Sequence, residues 1–288
     1  MLRLVTLGAL IAIAAGALFV GLDGERARAG TEEPDSFVLA DFKCYKAVGV
    51  GSEGGMVGRD VFVVDQFQGK EAYVGGPTSL CNYVEKEGGL VRSAGEPYED
   101  ADDYTCYEMD QEGFFFDFVE VENQFGSEDL FIRTADELCV RSYKSSEEFL
   151  PGEPDPVGVA GDEEDPSGIL PHLKCYPAFQ TDWEDFEPIE VELEDQFRET
   201  TALVLWPVSL CTVLLEWDFD EFSSPGSAGW DGEAAEKSAQ ALVCYRIWEP
   251  GLEVNFAVVE NELSFDELVV LWAQTLCVPS TKLSNNIP

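Results

Sequence analysis

Val191-Glu192-Leu193-Glu194-Asp195-Gln196-Phe197 decides the fold class. Strict alternation of apolar and acidic residues has period two, which puts Val and Leu on one face of a strand and Glu on the other. Such a strand belongs to an antiparallel sheet with one wet side. Cys175-Tyr176 precedes this stretch, and Leu210-Cys211 follows it, with Cys211 standing 15 positions after Gln196.

The same order of features recurs three more times. Cys-Tyr is repeated at Cys44-Tyr45, Cys106-Tyr107 and Cys244-Tyr245, and Leu-Cys at Leu80-Cys81, Leu138-Cys139 and Leu276-Cys277. The intervening triplets are Asp65-Gln66-Phe67, Asn123-Gln124-Phe125 and the divergent Asn261-Glu262-Leu263. The middle residue of every triplet lies 15 positions before its cysteine, so the chain is an internal repeat in four copies. Cysteine separations within the copies run 37, 33, 36 and 33, so long and short units alternate. A unit that doubled, and a pair that then doubled again, accounts for the alternation.

Three or four strands per unit cannot cover their own apolar face, so we expect an all-β protein whose repeats pair into two antiparallel sandwich- or barrel-like domains. The expected divisions are a signal peptide over 1–29, a tail over 30–35, domain 1 over 36–148 (repeats 36–88 and 98–148), an acidic linker over 149–167, and domain 2 over 168–288 (repeats 168–218 and 238–288). Asp231 to Ala241 could form a short helix between repeats.

Compartment follows from the N-terminus and the cysteines. Arg3 precedes an uncharged stretch over 4–22, and Ala27-Arg28-Ala29 is a small-x-small cleavage site, so cleavage after Ala29 is expected. An uncleaved N-terminal membrane anchor is the alternative, and both export the remainder to the cell surface, the periplasm or the medium. Eight cysteines without a C-x-x-C pair read as disulfides rather than zinc ligands. A duplicated unit should carry its own bridge, which selects Cys44–Cys81, Cys106–Cys139, Cys175–Cys211 and Cys244–Cys277. The rival exchanges partners within a domain, as in Cys44 with Cys139.

Asp41-Phe42-Lys43-Cys44-Tyr45, His172-Leu173-Lys174-Cys175-Tyr176, Asn123-Gln124-Phe125-Gly126 and Leu276-Cys277-Val278-Pro279-Ser280-Thr281-Lys282 together resemble an uncharacterised family of secreted prokaryotic tandem repeats. The resemblance covers nearly all of the chain after the N-terminal segment. It departs from the family pattern at Glu262-Leu263 and in the first three copies, which lack the proline after Leu-Cys. It implies extracellular β-repeats and lends no catalytic residue.

Chemistry is sparse. With 17 Lys and Arg against 57 Asp and Glu, the net charge is −40, which repels nucleic acid and anionic membrane surfaces. The single histidine, His172, corresponds to Asp41, Asp103 and Ala241 in the other repeats, so it reads as a tolerant strand-entry position. Gly49-Val50-Gly51-Ser52-Glu53-Gly54 matches the dinucleotide fingerprint only in letters, since a strand rather than a helix follows. The triplets read as structural, their aromatic packing and their amide bonding backbone. Glu99-Asp100-Ala101-Asp102-Asp103 and Asp162-Glu163-Glu164-Asp165 have the composition of loose calcium sites and equally that of solvated acidic runs. No cofactor is expected, calcium being the one alternative.

The expected function is that of an exported, non-catalytic, monomeric interaction or structural repeat protein whose partner is a surface protein or glycan. Carbohydrate binding by aromatic side chains is the first alternative. A secreted hydrolase with an unrecognised carboxylate pair is the second.

Overall fold

The computed structural model describes residues 39–50, 58–86, 103–144, 171–181, 186–218, 240–251 and 254–285. Among them are fifteen β-strands and no helix, hence no helix long and apolar enough to cross a membrane. Residues 1–38 and 145–170, with the expected signal peptide and linker, lie outside the described residues. So do 231–239 of the expected helix, whose last two residues belong to a strand.

Eight strands carry one cysteine each: β1 (Phe42–Gly49), β3 (Gly69–Tyr83), β5 (Asp103–Gln111), β8 (Glu137–Lys144), β9 (Leu173–Gln180), β11 (Glu199–Val213), β13 (Gln240–Trp248) and β15 (Phe265–Asn285). Each pairs antiparallel with the next in chain order. β15 then pairs with β1, so the eight close into a barrel. Closure leaves these strands no open edge.

This corrects the expected pair of domains. The first and second halves of the chain meet at two seams, β8–β9 and β15–β1, and the described strands belong to one compact unit. A sheet that closes satisfies all its ladder groups at once, which two four-stranded halves could not do separately.

The remaining strands build four hairpins. These are β2 (Arg59–Val64) with β3, β6 (Phe116–Asn123) with β7 (Gly126–Arg133), β10 (Ile189–Glu194) with β11, and β14 (Asn255–Glu260) with β15. A register shift lets one long strand serve both hairpin and barrel, at Ala273 in β15 and at a proline in two other strands. At Pro77 in β3 and Pro207 in β11 the register shifts, because proline brings no N–H to the ladder and a bulge there bends the strand. In the second repeat the chain breaks at the same place, between β7 and β8.

Each repeat's residues after its second cysteine pair with a hairpin two repeats away. β4 (Glu85–Lys86) pairs with β10, β12 (Glu216–Asp218) with β2, the end of β8 with β14, and the end of β15 with β6. Alternation along the barrel strands then makes two cores. The cysteines share one face with Phe42, Tyr104, Leu173, Val213 and Leu242. The other face buries Tyr45, Tyr107, Tyr176, Tyr245 and the four Leu of Leu-Cys against hairpin valines.

Candidate functional site

The cysteines pair within repeats: Cys44–Cys81, Cys106–Cys139, Cys175–Cys211 and Cys244–Cys277. Between bridges, sulfur meets sulfur at 3.6 Å (Cys44 and Cys277), 3.8 Å (Cys81 and Cys106), 3.5 Å (Cys139 and Cys175) and 3.9 Å (Cys211 and Cys244). Eight sulfurs therefore run in a ring, alternately bonded and in contact. Disulfide sulfurs hold no hydrogen, so these contacts are van der Waals packing. The ring is buried and no cysteine is free, which leaves no thiol nucleophile and fits an oxidising, extracellular environment.

The triplets sit at the hairpin tips. The side-chain oxygen of the first residue accepts backbone N–H groups just ahead, from Phe67 and Gln68 at Asp65, Phe125 at Asn123, Phe197 and Arg198 at Asp195, and Leu263 and Ser264 at Asn261. These are Asx turns. The other side-chain atom reaches a Cys-Tyr tyrosine two repeats away. Tyr176 donates to Asp65 (2.7 Å) and Tyr45 to Asp195 (2.5 Å), while Asn123 donates to Tyr245 (2.8 Å) and Asn261 to Tyr107 (2.7 Å). Phe67, Phe197 and Phe125 meet the same tyrosines edge to face, at centroid separations of 5.2, 5.2 and 5.0 Å. Hence the docking amide or carboxylate is that of Asp or Asn. Gln66 and Gln196 make no such bond, and Gln124 donates instead to the half-buried Asp41.

The two Asp junctions each bury a lysine as well. Lys43 lies 3.5 Å from Asp195 and Lys174 lies 3.8 Å from Asp65, all four side chains fully buried. Lys43 also pairs with Glu249 at 2.9 Å, and Glu249 with Arg198. Where the tip residue is neutral Asn123 or Asn261, the lysine position holds Val243 or Thr105, and the tyrosine donates to a separate buried carboxylate, Tyr245 to Glu128 at 2.7 Å and Tyr107 to Asp266 at 2.9 Å. Burial pushes the phenols of all four tyrosines above their ordinary range, so they stay protonated donors or acceptors. Burial also pulls the Lys174 ammonium down, against the neighbouring Asp65.

Other expected residues are placed as follows. His172 accepts the Arg141 N–H at Nδ1 (3.3 Å) and lies 3.5 Å from Glu262 through Nε2; burial lowers its pKa. Asp103 is the one described member of the first acidic run, and it pairs with Lys144 at 2.7 Å. The second run and residues 51–57 after Gly49-Val50 lie outside the described residues. Among the described residues no group of three or more His, Cys, Asp or Glu is placed to hold a metal ion. Glu108 and Glu137 stand opposite each other across β5 and β8, but the Glu137 carboxylate is taken by the Thr78 hydroxyl at 2.8 Å.

A feature that sequence reasoning missed lies on the outer face of β6, β7 and β9. Phe114 is 75% exposed, Phe116 56%, Phe179 46% and Phe118 36%. Their rings form one run with Phe131: Phe114–Phe116 at 5.7 Å, Phe116–Phe131 at 6.2 Å, Phe118–Phe131 at 5.2 Å and Phe131–Phe179 at 6.5 Å. The Arg133 guanidinium lies 4.7 Å from the Phe179 ring centre. Phe118, Phe131 and Phe179 are direct cross-strand neighbours in a row. The run Phe114-Phe115-Phe116 and the alternation to Phe118 were its sequence signal.

Searched against known protein families, curated proteins and solved structures, the chain finds no match.

Proposed function

We propose that the protein is an exported, non-catalytic interaction protein of the cell surface or extracellular space, and that its binding surface is the phenylalanine face of β6, β7 and β9. One observation carries the reading: the fold does not require that face. The row Phe118–Phe131–Phe179 corresponds to Asp60–Tyr73–Asp110 in the first repeat and to Glu190–Leu203–Trp248 in the third, in the same register. Two repeats thus fold with an acid where the second has Phe118, so exposing five rings in one run is a property of this surface and not of the repeat. Large exposed apolar runs mark interaction sites.

A glycan-binding reading draws on Trp206 and Trp272, which occupy equivalent positions ahead of Leu-Cys and are 54% and 47% exposed. The phenylalanine rings themselves are tilted by 39° to 49° to one another and do not form the coplanar platform that sugar stacking uses. A binding screen of the chain against glycans and against extracellular proteins, run in parallel with Phe116→Ser/Phe179→Ser and Trp206→Ser/Trp272→Ser variants, tests both. Capture that the phenylalanine pair abolishes supports the proposal. Capture that only the tryptophan pair abolishes transfers the function to glycan binding.

A further inference from the structure

Beside the phenylalanine run, on the same outer face, the strands change character. Glu120 and Asp129 stand directly opposite each other across β6 and β7, two residues along from Phe118 and Phe131, and Glu122 follows on the same side of β6. One face therefore carries five phenyl rings at one end and three carboxylates at the other.

The fourth repeat provides an internal comparison. Its equivalent row is Phe256–Val269–Val48, again apolar, with Val258 at the position of Glu120 and Glu267 at that of Asp129. An apolar row is thus shared by the two short repeats. The combination of a dense aromatic end with paired carboxylates belongs to the second repeat alone.

Resting on the interaction reading above, we infer that this face docks a cationic polypeptide segment that carries large apolar side chains. Its aliphatic or aromatic residues lie over Phe116, Phe118 and Phe179, while its Lys or Arg residues reach Glu120, Glu122 and Asp129. Charge selects this occupant over a second copy of the chain. Two chains of net −40 repel, whereas a basic segment is drawn in by the whole surface and held where carboxylates adjoin apolar rings. Arg133 over Phe179 shows that a guanidinium is accommodated on these rings.

The test uses the full chain and three synthetic 18-residue peptides of helical spacing: leucine with lysine, leucine with glutamate, and serine with lysine. Binding is followed by fluorescence anisotropy at 0.05 and 0.3 M NaCl, with melting curves verifying that each variant is folded. The leucine–lysine peptide is expected to bind at least tenfold more tightly than either control. Phe116→Ser/Phe179→Ser weakens it at least tenfold, at side chains exposed enough for the fold to survive. Glu120→Gln/Asp129→Asn weakens it several-fold and flattens its salt dependence, while Asp60→Asn/Asp110→Asn on the first hairpin leaves it unchanged. Equal binding of the serine–lysine peptide, or indifference to the phenylalanine pair, reduces the effect to bulk charge and overturns the inference. Sedimentation showing a dimer that Phe116→Ser/Phe179→Ser dissociates overturns it in favour of self-association. If the peptides fail while the glycan and protein screen still captures a partner in a phenylalanine-dependent way, the partner class falls and the interaction reading stands. If both fail, both fall.

Discussion

Tyr176 donates its hydroxyl hydrogen to Asp65 across 111 residues of chain, at 2.7 Å, and the same aspartate oxygen takes the Thr212 hydroxyl at 2.6 Å. Tyr45 and Asp195 repeat the arrangement in the opposite sense, so the first and third repeats exchange hairpin tips. The second and fourth exchange theirs through Asn123 and Asn261.

The lysine facing each aspartate makes this exchange separable by mutation. Asp65→Asn keeps the turn and the shape but leaves Lys174 as an uncompensated buried charge, a loss of about 3–5 kcal/mol. Adding Lys174→Thr removes the stranded charge, and because replacing a whole buried ion pair is often close to neutral it should recover all but about 1–3 kcal/mol, the cost of the carboxylate acceptor that Tyr176 and Thr212 lose and that Asp266 supplies to Tyr107 on the other diagonal. Urea unfolding of the two variants measures both numbers. A double variant as unstable as the single one shows that the lysine contributes nothing beyond bulk.

Half of the chain should not fold alone. A fragment covering 37–148 keeps two disulfides but leaves β1 and β8 with open edges and loses both tip contacts to the third repeat. It should lack near-ultraviolet circular dichroism or associate through those edges. A monomeric fragment with a cooperative melt would restore the two-domain arrangement.

Glu128 should make stability depend on pH. Burial raises its carboxyl above the ordinary 4.5, opposed by the Tyr245 hydroxyl donated at 2.7 Å. A raised folded-state pKa favours the protonated form, so its contribution is fully present below about 4.5 and is lost as the pH rises through the higher folded value. Glu128→Gln keeps an acceptor for Tyr245 and removes the titration. Its melting temperature relative to wild type should rise from pH 4 to pH 7. A difference that stays constant over that interval contradicts this.

Each disulfide should contribute a similar amount, because the four closed loops span 37, 33, 36 and 33 residues. The chain-entropy relation assigns about 4 kcal/mol to a loop of this size. Cys106→Ala/Cys139→Ala and Cys175→Ala/Cys211→Ala should therefore be destabilised alike in urea. A twofold disparity would point to unequal packing of the sulfur ring.

Strands, hairpin tips and the even cysteine set are visible in the sequence because alternation, Asx residues and spacing are local signals. Closure is not. A repeat that docks its tip on its own tyrosine and one that docks on the tyrosine two repeats away have identical motifs. A clue existed in the columns: Lys43, Thr105, Lys174 and Val243 track Asp195, Asn261, Asp65 and Asn123 in charge. It establishes that lysine and aspartate belong together, yet the first and third repeats carry the same pair, so it cannot say which partner is chosen. The triplet's middle residue keeps the regular spacing, while the preceding Asp or Asn makes the bonds. Phe116 and Phe118 alternate as buried strand residues do, and only the register with Phe131 and Phe179 reveals which face they occupy.

The pairing of β15 with β1 sets an order in time. Synthesis delivers β1 well before β15, so β1 waits without its second neighbour until every strand between them has been made. Contacts of such long sequence separation fold slowly. Through that interval the open strand edges and unpaired cysteines of the growing chain are its most vulnerable features. Native bridges within a repeat can be made as each unit is completed, and the barrel then locks in a single late event.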